Sequence, residues 1–178
     1  MRTVIVHSTI LLTVFFVSFS IKGFGQTKHV QLIPLAVGNY WIYSTSNKFH
    51  PLDTIKIIGT RVIDGDTAYV FNNHEMMFER NDSIYNFQTQ RIGIPFKCLE
   101  YFPSEKYLEY TIVIGGDVLG RRTVSKIKRP YKLNGKEYSN CFKFSSLDNH
   151  QIICMGVGIL RSETNTVIRT LIEYQVKE

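Results

Sequence analysis

Short runs of alternating apolar and polar residues, punctuated by Asx-Gly pairs, restrict this chain to antiparallel β-sheet. Thr54-Ile55-Lys56-Ile57, Leu108-Glu109-Tyr110-Thr111-Ile112 and Ile168-Arg169-Thr170-Leu171-Ile172-Glu173-Tyr174 each offer one apolar and one largely polar face. That is the pattern of strands buried on one side only. Asp64-Gly65 and Asn134-Gly135 stand between strand-like flanks and predict two-residue hairpins, in which both central residues need positive φ. Ser146 to His150 and Thr164 to Thr166 read as further turns. Beyond the first 25 residues no stretch of about twelve carries a 3.6-residue apolar period. Helix is thus confined to single turns, with His74 to Met77 and Ser104 to Tyr107 as the candidate places. The expected class is all-β, with short helical turns at most, arranged as a strongly curved antiparallel sheet or half-barrel.

A faint internal repeat runs through the chain. Pro34 precedes the aromatic run Trp41-Ile42-Tyr43, and Pro103, 69 residues later, precedes Leu108-Glu109-Tyr110. Asp64-Gly65 and Asn134-Gly135 lie 70 apart. The agreement of the two offsets suggests two similar meanders fused into one curved sheet.

The start of the sequence addresses location. Arg2 gives a positive beginning, Val4 to Phe19 is an apolar run, and Gly23-Phe24-Gly25 places small residues at both cleavage-recognition positions. These are the parts of a secretory signal peptide, cut between Gly25 and Gln26. The run is shorter than the roughly 20 residues of a membrane-spanning helix, and no second one follows. Gln26 stands where a lipoprotein would need Cys. An uncut segment would tether the domain to a membrane; cleavage would release an exported protein, periplasmic or extracellular, with no stable membrane insertion. Residues 26 to 178 have the size of one domain with its own core.

Charge is mildly basic after cleavage, and it is concentrated. Arg121, Arg122, Lys126, Lys128, Arg129 and Lys132 occur with no acid between Asp117 and Glu137. The run reads either as a stripe facing phosphate or lipid headgroups, or as a solvated strand and its loop. Nucleic acid is not an expected partner, since export and the absence of any nucleic-acid-binding motif argue against it.

The three cysteines, Cys98, Cys141 and Cys154, form no Cys-x-x-Cys motif. Cys141 and Cys154 fall on neighbouring strands. With the turn centred on Asp148-Asn149, however, Lys143 faces Cys154 and Cys141 lies diagonally at about 7 to 8 Å, which favours free, partly buried thiols.

Catalytic and metal chemistry find little support. Asp64-Gly65-Asp66 has an acid-x-acid form, but its hairpin position explains it more simply. His74-Glu75 lacks the second histidine of a zinc-protease helix, because position 78 is Phe. There is no Gly-x-Ser-x-Gly elbow, and the glycines of Gly115-Gly116 and Gly156-Val157-Gly158 read as a turn or bulge and a sharp backbone passage. Asn81-Asp82-Ser83 fits a glycosylation acceptor. We assign no catalytic residue, cofactor or metal.

Aromatic residues, by contrast, recur at alternating strand positions. Their ordinary role is core. On a curved sheet they can also line a concave face left incompletely filled. Trp41, Tyr43, Tyr110, Phe142 and Phe144 are the candidate ligand-binding residues, with the 121 to 132 cations near a rim.

Three segments carry a resemblance: Pro34-Leu35-Ala36-Val37-Gly38-Asn39-Tyr40-Trp41-Ile42-Tyr43, Tyr138-Ser139-Asn140-Cys141-Phe142-Lys143 and Gly156-Val157-Gly158-Ile159-Leu160-Arg161. They resemble a group of uncharacterised secreted bacterial β-rich proteins with a Pro-Leu-x-x-Gly-Asn-x-Trp-x-Tyr … Asn-Cys … Gly-Val-Gly-Leu layout. Cys154-Met155 replaces that group's usual Ala-Pro. More loosely, the layout is similar to the half-barrel of the lipoprotein carriers LolA and LolB, which hold acyl chains on a concave sheet. The resemblance implies a non-enzymatic envelope domain binding an apolar ligand or an envelope protein. The alternatives are an interaction module with a filled core and, last, a secreted hydrolase.

Overall fold

Both Asx-Gly pairs form the turns their chemistry requires. In the computed structural model, which describes residues 30–89, 95–114 and 117–177, Asp64-Gly65 has φ of 50° and 81° and Asn134-Gly135 has 49° and 76°. A third turn of the same kind sits at Asn81-Asp82, with φ of 51° and 60°. The expected signal peptide and Gly115-Gly116 lie outside the described residues.

Every described element is a strand. The first half of the chain supplies β1 (Tyr40–Thr45), β2 (Leu52–Ile63), β3 (Asp66–Phe71), β4 (Met76–Arg80), β5 (Ser83–Thr89) and β6 (Pro95–Tyr101). The second half supplies β7 (Leu108–Ile114), β8 (Asp117–Lys126), β9 (Tyr131–Leu133), β10 (Lys136–Tyr138), β11 (Cys141–Ser145), β12 (Asn149–Cys154), β13 (Gly158–Thr164) and β14 (Ile168–Gln175). Neither candidate helical turn forms. Met76 and Met77 already belong to β4, and 104 to 107 is irregular backbone leading into β7.

Twelve strands make one antiparallel sheet in the order β6-β5-β4-β3-β2-β1-β14-β13-β12-β11-β8-β7, and β9 with β10 forms a separate ribbon. The sheet is not closed into a barrel. Each half of the chain contributes six strands to it, and the halves correspond: long β2 matches β8 followed by β9, and β3 matches β10 followed by β11. Lys128-Arg129-Pro130 breaks in the second half what is continuous in the first. Asn134 Nδ2 donates to the Leu171 carbonyl at 2.8 Å and so pins the ribbon tip to β14.

Register irregularities bend the sheet. They fall in the β1/β14, β2/β3, β5/β6, β7/β8 and β12/β13 ladders, and each extra residue increases local twist. The curl brings inward-facing side chains of both halves into one core: Trp41, Tyr43, Ile57, Phe71, Phe144 and Leu171, among others. Ahead of β1, Leu32, Ile33 and Leu35 are buried in the same core. Gln31 ties this leading segment to both halves, with Nε2 donating to Glu79 of β4 at 2.6 Å and its carbonyl accepting the Gly156 amide at 2.7 Å. A smaller cluster of Ala68, Phe78 and Phe87 stabilises β3 to β5, with Phe78 stacked on Tyr85 at 5.0 Å between ring centroids.

Cys141 and Cys154 form a disulfide, which corrects the expectation of free thiols. The turn runs from Ser146 to Asn149, closed by the Ser146 amide donating to the Asn149 carbonyl at 2.8 Å. It centres one residue earlier than the sequence suggested. That places Cys141 directly opposite Cys154 with Cα atoms 4.0 Å apart, close enough for a cross-strand bridge.

Candidate functional site: the cavity of the curled sheet

The two ends of the sheet, β6 and β7, meet without a ladder among the described residues, and side chains hold them together. Glu100 is the extra residue of the β5/β6 bulge, since Ile84 pairs with Tyr101 and Tyr85 with Leu99. Arg122 of β8 donates to both the carboxylate of Glu100, at 2.8 Å, and its carbonyl. Tyr110 of β7 donates its hydroxyl to the same carbonyl at 3.1 Å, and its ring meets Phe102 edge-on. The Arg122 guanidinium lies 5.3 Å from the centre of the Tyr101 ring, which in turn meets Phe144 edge-on at 5.3 Å. Burial opposes charge on Arg122, but Glu100 and the neighbouring tyrosines more than offset it and raise its pKa.

Inside the curl a cavity of about 270 Å³ remains. Its apolar wall consists of Ile33, Trp41, Tyr43, Ile55, Phe71 and Ile159. Hydrogen bonds to backbone fix the two large aromatics: Trp41 Nε1 donates to the Val157 carbonyl at 2.5 Å, and the Tyr43 hydroxyl to the Ile159 carbonyl at 3.0 Å. Gly158 makes room for the indole. Its φ is +97°, and a β-carbon there would stand 3.3 Å from Trp41 Nε1.

Polar residues make up much of the remaining lining: Asn73, Glu75, Asn86, Glu100, Asn149, Gln151, Ser162 and Arg169. Internal partners hold several of these groups. Arg169 pairs with Asp53 at 3.0 Å, Glu100 with Arg122, and Gln151 Nε2 donates weakly to Ser162 Oγ at 3.5 Å. Asn149 Oδ1 is a buried acceptor without a hydrogen-bond partner. Burial pushes the Tyr101 phenol well above its ordinary pKa, and the nearby Glu100 carboxylate adds to the shift. Burial raises the Tyr43 phenol in the same way.

Of the aromatic residues singled out from sequence, Trp41 and Tyr43 line this cavity. Tyr110, Phe142 and Phe144 do not. Tyr110 belongs to the junction of β6 with β7, Phe144 packs against Tyr101, and Phe142 is buried in the core and borders a separate shallow recess with Val30 and Pro103. The cations also separate. Arg122 is buried rather than displayed, Arg121 pairs with Glu109, Lys126 with Glu105 and Lys132 with Glu137, and Lys128 and Arg129 are exposed. Strand alternation accounts for the split, turning Arg122 inward while Arg121 faces out. The polar lining had no sequence signal, because its residues come from the β3–β4 connection and from β5, β6, β12, β13 and β14.

No protein-family model matches the chain, and no curated protein does. Among solved structures, one described as that of a candidate lipoprotein from Parabacteroides distasonis ATCC 8503 is similar at 8% identity and a TM-score of 0.41, over 82% of this chain and 99% of that one. At that level the likeness carries no weight for fold or function.

Proposed function

We propose that this chain is an exported, non-enzymatic binding domain of the cell envelope, and that its cavity takes one small apolar or amphiphilic ligand. The observation that carries the reading is the pre-formed recess beside Trp41 and Tyr43, whose rings are fixed by backbone hydrogen bonds before any ligand arrives. The recess, at about 270 Å³, lies at the small end of ligand pockets. A ring or a single short acyl chain suits it better than the several chains of a lipoprotein. Export is supported by the signal-peptide pattern of the first 25 residues and by a disulfide, which persists in oxidising compartments.

Native mass spectrometry of the protein purified from an envelope fraction, followed by organic extraction, tests the proposal. A stoichiometric apolar species that disappears in Trp41→Ala supports it. A ligand-free mass, together with no uptake of a fluorescent fatty acid, refutes it. A second reading, an interaction module, draws on Leu52, Ile58 and Val62, which stand exposed along β2. Crosslinking in intact cells that captures only monomer would count against that alternative.

A further inference from the structure

The hairpin joining β4 to β5 runs through Glu79-Arg80-Asn81-Asp82-Ser83 and contains the one Asn-x-Ser/Thr acceptor of the sequence. Asn81 and Asp82 form its two-residue tip, both exposed and both with positive φ. The turn is built from the Asn81 main chain, whose carbonyl accepts the Ser83 hydroxyl at 3.3 Å, and the side-chain amide takes no part in that bond. The flanking residues are held inside. Ser83 is 7% exposed, and Glu79 accepts from Gln31 Nε2 at 2.6 Å while its second carboxylate oxygen is buried. The acceptor asparagine is thus on the surface of the finished fold, and the residues that mark it as an acceptor are not.

We infer that Asn81 is an N-glycosylation site, modified during export before the Gln31 segment docks on β4. The inference rests on the export proposed above and not on the cavity. In the transfer, Asn81 Nδ2 bonds to the anomeric carbon of an oligosaccharide carried on a polyprenyl diphosphate. The bond from that carbon to the diphosphate oxygen breaks, polyprenyl diphosphate leaves with the electron pair, and one amide proton passes to a base of the transferase. An oligosaccharyltransferase selects its asparagine through a hydroxyl two residues later, and the bacterial type also through an acid two residues earlier. Ser83 and Glu79 stand at those positions. Folding turns both to internal partners, so they can be read only in the extended chain. The product is compatible with the fold, because a bulky, hydrated glycan needs a surface turn and the tip supplies one.

Denaturing mass spectrometry of the protein recovered from the envelope fraction of its own host tests the site, and it reads every variant whether or not that variant folds. The wild type should exceed the mass of its processed chain by one glycan. Asn81→Gln and Ser83→Ala should lose the increment, and Ser83→Thr, which keeps the hydroxyl, should retain it. Membranes of the same host should glycosylate the reduced, unfolded chain and leave the folded protein unmodified. An unmodified chain in the envelope fraction, or an increment that survives Asn81→Gln, overturns the site while leaving export in place. Equal modification of folded and unfolded protein overturns the proposed order of events. Absence of the protein from the envelope fraction overturns export itself, and the inference with it.

Discussion

Replacing Arg122 by Met should loosen the junction between β6 and β7 more than any exposed substitution on the sheet. Methionine keeps the apolar stem over Tyr101 and removes only the charge and its donors. The Arg122 and Glu100 side chains are 9% and 16% exposed, so the pair is largely desolvated. Breaking a buried pair from one side costs about 3 to 5 kcal/mol, and the residual exposure of Glu100 argues for the lower end, about 3 kcal/mol. With a urea m-value of about 2 kcal/mol/M, typical of a domain this size, the midpoint should fall by about 1.5 M. Glu100→Gln keeps the carbonyl that Arg122 also contacts and should cost about 2 kcal/mol. Because both changes remove the same contact, the double variant should cost little more than Arg122→Met alone, a coupling of about 2 kcal/mol in the double-mutant cycle. Urea unfolding followed by Trp41 emission gives all four corners of the cycle. A loss below about 1 kcal/mol for Arg122→Met, or strictly additive effects, would refute the view that this pair holds the two sheet ends together.

The remaining predictions concern the bridge, the glycine and the tyrosines. Reducing Cys141–Cys154, which closes a loop across a separation of 13 residues, should lower stability by about 3 kcal/mol, and alkylation of the unfolded chain should label one thiol before reduction and all three cysteines after it. Gly158→Ala must adopt φ near +97° and press on the Trp41 indole, so it should cost about 2 kcal/mol and shift Trp41 emission to the red in the folded state; unchanged emission and stability would contradict the packing described. Tyr43 and Tyr101 are held neutral by burial, with pKa values raised above that of the unfolded chain. Their contribution is complete below about pH 10 and declines above it, where only the unfolded state ionises, by up to roughly 2.7 kcal/mol per pH unit for the two together. Alkaline urea titrations of wild type and Tyr43→Phe check this, since the variant's slope should be shallower by up to roughly 1.4 kcal/mol per pH unit.

Much of the architecture is legible in the sequence because short-range chemistry fixes it. Asp64-Gly65 and Asn134-Gly135 dictate hairpins wherever they occur between strands, and the spacing between them carries the two-half arrangement through to the sheet order. Asn81-Asp82 gives a comparable turn signal, overlaid by the glycosylation pattern that shares its residues. The disulfide was hidden by a turn whose centre moved one residue, a shift that Leu147, almost fully exposed at the tip, gives no apolar pattern to announce. Arg122 looks like its neighbours in a run of cations. What sets it apart is a bulge on β6, a strand paired elsewhere in the sheet, which turns Glu100 towards it. Trp41 and Tyr43 were visible as half of the site. Glu75, Asn86, Asn149 and Gln151 were not, because only the curl of the sheet brings them to one cavity.

The β1–β14 ladder governs the timing of folding. Tyr40 pairs with Gln175 and Thr45 with Arg169, so the first strand finds one of its two neighbours only when the last strand exists. A chain emerging from its N-terminus can assemble β1 to β6, yet Trp41 and Tyr43 sit on an uncovered strand edge until residues 168 to 175 follow. The sheet's central joint is thus its latest and most distant contact, the kind that makes folding slow and leaves it to the completed polypeptide. Early assembly of β1 to β6 therefore leaves the core half-covered, and it closes only when residues 168 to 175 add the second neighbour of β1.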